Sequence, residues 1–230
     1  MSISMAITTH NLRYQMTIDC FAQIIDNDFI AEFVIVDDAS PDNAGIRLIE
    51  YFKNNPKVKI YINEENIQMS RNKNKAIGLC KEPFVLIGDS DNTFTNYYID
   101  ALKNILLEDN TIYCPDFAKP TFNFKKFSGR TFDKTNIKEL AFDDMGNVSM
   151  NTCNYVVPKE RYLRVYEHNP LMKATDTVHF AYLWLKAGNK FHIVDGMEYE
   201  HLVHKNSGFM DDCDYNMARS AELRKKIIEL

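Results

Sequence analysis

Apolar residues in the first part of the chain fall into short runs that alternate with segments of helical spacing. The runs predict strands at Ile3–Ile7, Glu32–Val36, Val58–Ile62 and Phe84–Ile87. Apolar residues recur at helical spacing between these runs, at Leu12, Met16, Ile24, Ile25, Ile46, Ile49, Phe52, Met69, Ala76 and Leu79. Strands that alternate with helices of about 10–15 residues are typical of βαβ units. The pattern therefore predicts a mostly parallel sheet.

The second half of the chain is less regular. Residues 115–148 contain two prolines and two glycines among many polar residues, and they predict a long excursion with little regular structure. Further strands are predicted at Asn154–Val157 and Phe191–Val194, and helices at Thr175–Ala187, which Gly188 ends, and at Met217–Ile228. The whole pattern predicts one α/β domain with a Rossmann-like, mostly parallel central sheet flanked by helices.

Polar residues follow the predicted strands of the first half. The segments are Thr8-Thr9-His10-Asn11, Asp37-Asp38-Ala39-Ser40, Asn63 and Asp89-Ser90-Asp91. In open α/β sheets, ligands bind outside the carboxyl ends of the strands. We therefore expect these side chains to face one crevice. The sequence Ser40-Pro41-Asp42 also predicts the N-terminus of the helix that follows.

The pair Asp89 and Asp91 is the clearest candidate for chemistry. Two carboxylates one residue apart repel each other and resist burial unless a cation lies between them. Mg²⁺ and Mn²⁺ prefer oxygen ligands, and Mg²⁺ commonly takes one or two carboxylates together with substrate phosphates. The sequence thus predicts a metal-bridged phosphate site. A polar turn after a core strand is the alternative.

Composition excludes several classes of protein. A chain of 230 residues is long enough for one sizeable core, and its net charge of −5 gives no support to nucleic-acid binding. No apolar stretch approaches the ~18 residues of a membrane span, and the N-terminus lacks the basic flank of a signal peptide. Five scattered cysteines without Cys-x-x-Cys spacing are expected to be reduced and mostly buried. We therefore expect a cytoplasmic protein with no nucleic-acid partner.

Six motifs in order resemble those of the family 2 glycosyltransferases, which have the GT-A fold. They are Ile7-Thr8-Thr9-His10-Asn11, the stretch from Glu32 to Asp42 around Asp37-Asp38, the stretch from Asn66 to Ala76, Asp89-Ser90-Asp91, Thr175-Asp176 before Ala187-Gly188, and the stretch from His201 to Ser207. Some positions depart from the family pattern: Thr8 replaces a proline, His10 an aromatic residue, Lys73 an arginine and Thr175 a glutamate. None of these departures removes a carboxylate that the chemistry needs.

The resemblance implies a role for each acidic motif. Asp91 would be the main ligand of Mn²⁺ or Mg²⁺, Asp89 would lie near the ribose or a metal-bound water, and His204 would complete the metal shell. Asp38, with Asp37 beside it, would accept a hydrogen bond from the nucleotide base, with uracil as the expected base. Turn capping is the structural alternative for both Asp37 and Asp38.

The resemblance also implies the remaining contacts. Asp176 would be the general base of an inverting single displacement, with a helix N-terminal carboxylate as the alternative. Thr8 and His10 would line the base pocket, and Ser90 would lie at the donor. Arg71 and Lys73 would meet the diphosphate or the base, unless they belong to a solvated helix face. Trp184 is expected in the core.

The function implied is transfer of a sugar from a nucleotide sugar, with a UDP-sugar expected, to a hydroxyl of a glycan, lipid-linked sugar or protein. Residues 1–100 would bind the donor, and residues 101–230 would bind the acceptor and carry the base. Two alternatives are a sugar-phosphate nucleotidyltransferase, which the glycine-free segment Thr8–Asn11 disfavours, and a catalytically inactive binding relative. The Phe/Lys-rich residues 122–127 are expected to be a solvated loop, with peripheral membrane contact as the alternative.

Overall fold

The first half of the chain forms the predicted succession of strands and helices. The computed structural model describes residues 1–150, 154–202 and 209–230, except for the side chain of Asp211. The elements of this half are β1 (Ile3–Thr9), α1 (Tyr14–Phe21), β2 (Ile30–Asp37), α2 (Ala44–Phe52), β3 (Val58–Ile62), α3 (Met69–Leu79), β4 (Phe84–Asp89), β5 (Thr93–Phe94) and α4 (Asn96–Lys103). All four strands predicted here are present, and three extend into the polar residues at their ends.

The second half contains more regular structure than the sequence predicts. Its elements are β6 (Thr111–Lys119), β7 (Phe122–Asn123), β8 (Thr131–Phe132), α5 (Ile137–Ala141), α6 (Gly146–Ser149), β9 (Tyr155–Pro158), α7 (Lys159–Val165), α8 (Asp176–Lys186), β10 (Lys190–Glu200) and α9 (Cys213–Ile228). Short 3-10 turns occupy Lys125–Phe127, Pro170–Thr175 and Met210–Asp212. The predicted excursion over 115–148 is therefore wrong at its start, because residues 115–119 belong to β6.

The strands of the described residues form one sheet in the order β3-β2-β1-β4-β9-β6-β10-β5. Strands β1 to β4 pair in parallel, and β6 pairs in parallel with β10. Strand β9 runs antiparallel to both of its neighbours, β4 and β6. The predicted α/β class with a mostly parallel central sheet is confirmed, with β9 joining its two parallel parts.

Helices cover both faces of the sheet. On one face, Met5 and Ile7 of β1 pack in a cluster with residues of α1, α2 and α4. On the other face, Ala6 of β1 belongs to a cluster that includes residues of α3, α8 and α9. Alternate residues of a strand point to opposite faces, so a strand covered on both sides is apolar throughout. This burial explains the uninterrupted apolar runs in the sequence.

Helix α2 is turned differently from its predicted orientation. Ile46 and Ile49 are exposed, whereas Leu48 and Phe52 are buried. Gly45 sets this orientation, because a Cβ at that position would lie 2.8 Å from Cγ1 of Ile62. The helix can approach the sheet this closely only with glycine at the contact.

Helix α8 ends and packs as the sequence predicts. Gly188 follows it with φ +80°, the left-handed conformation that commonly ends a helix. Trp184 is fully buried, and its indole Nε1 donates a hydrogen bond of 2.8 Å to the carbonyl of Lys190. The prediction that Trp184 belongs to the core is confirmed.

Strand β6 carries two residues that are unusual inside a sheet, Pro115 and Asp116. The pairing of β6 with β10 shifts register between Val194 and Glu198, immediately beside them. In this bulge Gly196 has φ +72°, and its N–H donates to Asp116 Oδ2 at 3.0 Å. A bulge is where a strand tolerates proline, because no ladder hydrogen bond from its nitrogen is needed there.

Candidate active site

The carboxyl ends of three neighbouring strands bring the predicted polar residues together. Thr8 of β1 pairs with Asp89 of β4, and Thr9 of β1 pairs with Asp37 of β2. These pairings put three strand ends in register at one edge of the sheet. The strand ends lie side by side as expected, and a crevice shared by all of these residues stays a prediction.

Asp38 and His10 form a hydrogen-bonded unit on the β1–β2 side of this edge. The Oδ1 atom of Asp38 accepts from Asn63 Nδ2 at 2.7 Å and from the backbone N–H of Ile67 at 2.9 Å. The ring nitrogen Nδ1 of His10 lies 2.9 Å from the Asp38 carbonyl oxygen, so it carries the proton and donates. Asp38 is buried, and His10 is exposed. We call these two residues, with Asn63, the Asp38 cluster.

Asp37 makes the contacts of a turn cap. Its carboxylate accepts from the backbone N–H of Ser40 at 3.0 Å and from the Ser40 hydroxyl. A Cβ at Gly45 would lie 2.9 Å from Asp37 Oδ2, so α2 closes over this carboxylate. These contacts match the turn-capping alternative for Asp37. A contact between Asp37 and a nucleotide remains a prediction.

The loops beside the Asp38 cluster hold residues in left-handed backbone conformation. Asn11, Leu12 and Ala39 have φ of 42°, 55° and 55°. The N–H of Asn11 donates to Ser40 Oγ at 2.9 Å, and the N–H of Leu12 donates to Asp42 Oδ2 at 3.1 Å. The predicted helix start at Ser40-Pro41-Asp42 is therefore wrong. The side chains of Ser40 and Asp42 instead accept hydrogen bonds from the β1–α1 loop, and α2 begins later, at Ala44.

Two cationic side chains stand against the carboxylates at the end of β4. The first is Arg13, whose Nη1 lies 3.0 Å from Asp91 Oδ2 and 3.5 Å from Ser90 Oγ. Asn154 supports Asp89 from the neighbouring chain segment: its Oδ1 accepts from the Asp89 N–H at 3.0 Å, and its Nδ2 donates to Asp89 Oδ2 at 3.3 Å. Sequence reasoning missed both Arg13 and Asn154.

The second cation is Lys73, which joins two of the predicted functional carboxylates. Its Nζ lies 3.2 Å from Asp176 Oδ2 and 3.9 Å from Asp89 Oδ1. Lys73 and Asp176 are both buried. Burial raises the pKa of Asp89, the charge of Lys73 opposes this rise, and the charge of Asp91 adds to it. The structure thus places Lys73 between carboxylates, while Arg71 lies exposed on the same helix.

The central cavity, of about 470 Å³, contains this whole cluster. Its walls include Arg13, Lys73, Asp89, Asp91 and Asp176. The wall also includes His201, Leu202 and three residues of α9, Met217, Ser220 and Arg224. The residues that line the cavity do not include Thr8, nor His10 and Asp38 of the Asp38 cluster. The predicted base Asp176 and the predicted metal ligands Asp89 and Asp91 therefore share one cavity.

His201 is fixed on the cavity wall. Its Nδ1 lies 3.0 Å from Oδ1 of Asn92, an oxygen that also accepts from the N–H of Leu202 at 3.2 Å. The ring of Phe122 packs against the imidazole with centroids 5.3 Å apart. The predicted metal ligand His204 lies outside the described residues.

The donor atoms at the cavity fit a divalent cation that shares its shell with phosphates. Asp89 and Asp91 supply carboxylate oxygens, the ligands that Mg²⁺ and Mn²⁺ prefer. Within the described part of the chain, no group of three or more His, Cys, Asp or Glu side chains is placed to hold an ion. These two carboxylates would therefore hold a metal only together with ligands from a bound diphosphate or from elsewhere in the chain.

The cysteines that the structure describes are mostly buried. Cys20, Cys80 and Cys114 are buried, and these and Cys213 are free thiols. Burial raises the pKa of Cys80 to about 12, so its thiol stays protonated. Cys153 lies outside the described residues.

None of the helices in the described ranges is long and apolar enough to cross a membrane. The segment Phe122–Phe127 is in part ordered rather than a plain loop, since it forms β7 and a 3-10 turn. Phe124 and Phe127 are buried and contribute to the core. Peripheral membrane contact through this segment stays untested.

The comparisons with known proteins agree with the geometry. The model of glycosyl transferase family 2 matches residues 4–165. No curated protein matches the sequence. The crystal structure of S. aureus TarS 1-349 in complex with UDP-GlcNAc is similar with a TM-score of 0.68 at 16% identity, over 99% of this chain and 70% of that one.

Two further TarS structures are similar at the level of fold. The TarS 1-349 complex with UDP has a TM-score of 0.65 at 17% identity, over 99% of this chain and 65% of that one. The longer crystal structure of S. aureus TarS has a TM-score of 0.65 at 17% identity, and the match covers 97% of this chain but 39% of TarS. These likenesses confirm the GT-A-type fold.

Proposed function

Because the chain belongs to glycosyl transferase family 2, we propose that this glycosyltransferase moves a sugar from a nucleotide sugar, with UDP as the nucleotide, to a hydroxyl group. Transfer proceeds by single displacement with inversion. The observation that carries the proposal is the cavity shared by Asp176, Asp89 and Asp91, next to the pocket of Asp38 and His10. TarS, which is similar in fold, has been crystallised with UDP and with UDP-GlcNAc.

The donor is held along the carboxyl ends of β2, β1 and β4. Asp38 accepts a hydrogen bond from the uracil imide, and His10 packs beside it at the pocket mouth. Thr8 of β1, a strand that lies between β2 and β4 in the sheet, and Ser90 are proposed to contact the donor as well. The diphosphate reaches Asp89 and Asp91, and Arg13 stands within hydrogen-bond distance of both Ser90 and Asp91.

A divalent cation bound by Asp89 and Asp91 would neutralise charge that develops on the departing diphosphate. Arg13 is a second source of positive charge at the same place, since its guanidinium lies 3.0 Å from Asp91. Arg13 therefore supports a proposal of cationic stabilisation of the leaving group by the protein itself, with metal dependence as a further proposal. His204 remains proposed as a third ligand.

Asp176 is the proposed general base. A base must lie within hydrogen-bond reach of the acceptor hydroxyl, and Asp176 lines the cavity into which an acceptor would enter. Lys73 fixes the position of its carboxylate through the 3.2 Å contact. As the first residue of α8, Asp176 also benefits from the helix N-terminus. Lys73 acts here as a positioning residue rather than as a contact to the donor diphosphate.

Calorimetric titration with UDP, with and without Mn²⁺, tests the donor site. We expect binding that strengthens with Mn²⁺ and is lost in Asp91→Ala. Asp100→Ala is the matched control, because Asp100 is exposed and pairs with Lys103 on α4. Silence toward UDP, GDP, CDP and dTDP alike would refute a nucleotide-sugar donor and favour the inactive relative.

Single-turnover transfer by Asp176→Asn tests the base. Loss of a general base typically lowers the rate by about 10²–10⁴-fold, while UDP binding should stay close to that of the parent protein. Asp214→Asn is the control, since Asp214 is another carboxylate in the first turn of a helix, α9. If Asp176→Asn transfers sugar at the parental rate, Asp176 is not the base.

A further inference from the structure

One stripe of helix α9 carries polar atoms that have no hydrogen-bond partner among the described residues. Asn216, Ser220 and Arg224 lie at four-residue spacing and so share one face of the helix. Asn216 Oδ1, Ser220 Oγ and Arg224 Nε are all buried, and none of them is hydrogen-bonded to a described residue. Buried polar groups are almost always satisfied in native proteins, so this face needs an explanation.

Among the described side chains, the charge on Arg224 is also unmatched. No carboxylate among them forms an ion pair with it, and burial lowers the pKa of its guanidinium. The undescribed segments 151–153 and 203–208 contain neither aspartate nor glutamate, and Asp211 is the one acidic residue whose side chain is not described. Arg219 on the same helix behaves differently, because its guanidinium pairs with Glu222 at 2.5 Å. A half-buried cation without a partner destabilises a fold, so a ligand is the natural reason to keep it.

Two residues of the stripe line the active-site cavity. Ser220 and Arg224 belong to the same cavity wall as Asp176, and Asn216 is not among the described residues of that wall. Helix α9 packs on α5, α8 and the turn Pro170–Thr175, all in the second half of the chain. His10 and Asp38 of the Asp38 cluster are not in that lining set, whereas Asp176, Asp89 and Asp91 are. A ligand on Arg224 would therefore lie in the cavity of the base, away from His10 and Asp38.

We propose that Arg224, together with Ser220, binds an anionic group of the acceptor, a phosphate or a carboxylate, while Asp176 faces the acceptor hydroxyl. Arginine donates two parallel hydrogen bonds to such groups, and the serine hydroxyl adds a third donor. The buried environment strengthens each of these bonds. The proposal rests on the proposed function only in naming the ligand as the acceptor. Binding of the anion itself needs no transfer activity.

NMR of the arginine Nε–H groups tests the anion site directly. The ¹⁵N-labelled protein is titrated with sn-glycerol 3-phosphate and with glycerol as the neutral counterpart. The Arg224 signal is identified by its absence in Arg224→Gln. We expect it to shift and saturate with glycerol 3-phosphate and not with glycerol, while the Arg219 signal stays in place. Ser220→Ala should weaken this binding about tenfold, the loss of one hydrogen bond to a charged group.

Two further measurements separate the acceptor from the donor. Calorimetry should give UDP affinities for Arg224→Gln and for the control Arg219→Gln within about twofold of the parent protein. Thermal unfolding of Arg224→Gln should occur at or above the parental temperature, because an uncompensated charge is removed. An unmoved Arg224 signal in glycerol 3-phosphate would overturn the proposal. So would a tenfold loss of UDP affinity in Arg224→Gln, which would assign the arginine to the donor diphosphate.

Discussion

Replacing Lys73 with methionine should destabilise the protein through the two carboxylates that it leaves behind. The Lys73 ammonium lies 3.2 Å from Asp176 and 3.9 Å from Asp89. With an effective dielectric constant of ~20, these contacts correspond to attractions of about 5 and about 4 kcal/mol. Desolvation of the buried ammonium offsets much of this sum, and Asp89 is partly screened by solvent. Removing one partner of a buried pair typically costs about 3–5 kcal/mol, and we expect about 3 kcal/mol for Lys73→Met.

Urea unfolding followed by circular dichroism measures this loss, with Lys75→Met as the control on the same helix. Lys75 is exposed, and its contact to Asn63 Oδ1 at 2.6 Å leaves no buried charge when removed. For a chain of this size, 3 kcal/mol corresponds to a fall in melting temperature of roughly 10 °C. Lys75→Met should cost less than about 1 kcal/mol.

A double-mutant cycle decides whether the charge is responsible. If the cost arises from an uncompensated carboxylate, Asp176→Asn should recover part of the stability lost in Lys73→Met. The double variant should then be more stable than the sum of the single changes by at least about 1 kcal/mol. Strictly additive effects, or a Lys73→Met cost equal to that of Lys75→Met, would refute the reasoning.

Three further changes test the fold. Burial works to raise the pKa of Glu32, but hydrogen bonds led by that from Lys59 hold it below the ordinary 4.5. The ionised Glu32 carboxylate contributes its full stabilisation above pH 4.5, and this contribution is lost as the pH falls through the lowered pKa. Glu32→Gln should therefore reduce the difference in urea midpoint between pH 7 and pH 4. Gly188→Ala should cost about 1 kcal/mol by calorimetry, because φ is +80° while nothing crowds the new methyl group. Trp184→Phe should cost about 2–3 kcal/mol in urea unfolding, since it leaves a cavity and an unpaired Lys190 carbonyl. For Gly188→Ala and Trp184→Phe, a change in the free energy of unfolding within about 0.3 kcal/mol of zero would contradict the stated cause. For Glu32→Gln, an unchanged difference in urea midpoint between the two pH values would do so.

The sequence predicts the first half of the fold well because three of its strands, β1, β2 and β4, are largely buried on both faces, while β3 is partly exposed. Uninterrupted apolar runs and helical spacing then carry the same information as the structure. Apolar runs do not reveal strand β6, because Pro115 and Asp116 interrupt its apolar residues and are typical of loops. Its partner β10 accommodates both through a bulge, which only the tertiary structure reveals. The orientation of α2 likewise depends on a close contact at Gly45 that periodicity does not encode.

The candidate site divides in the same way. Asp38, Asp89 and Asp91 follow strands directly, so the rule that ligands bind at strand ends finds them from sequence. Arg13, Asn154 and Arg224 reach the site from a loop and from distant segments, and no local pattern marks them. The sequence also predicts Lys73 as a site residue. Its contacts with Asp89 and Asp176 are not predictable, because they depend on how α3 and α8 pack. The division of donor and acceptor binding between residues 1–100 and 101–230 remains a prediction.

The left-handed backbone of Leu12 and Ala39 bears on how this scaffold will respond to engineering. Such conformations cost of order 1–3 kcal/mol each for residues other than glycine, and the cost falls on folding rather than on ligand binding. A loop already fixed in its bound shape binds a ligand with less loss of conformational entropy. Selection for heat resistance alone would favour Leu12→Gly and Ala39→Gly, which relieve the strain. The same changes would let the loop move, so a more durable enzyme would bind its ligand more weakly.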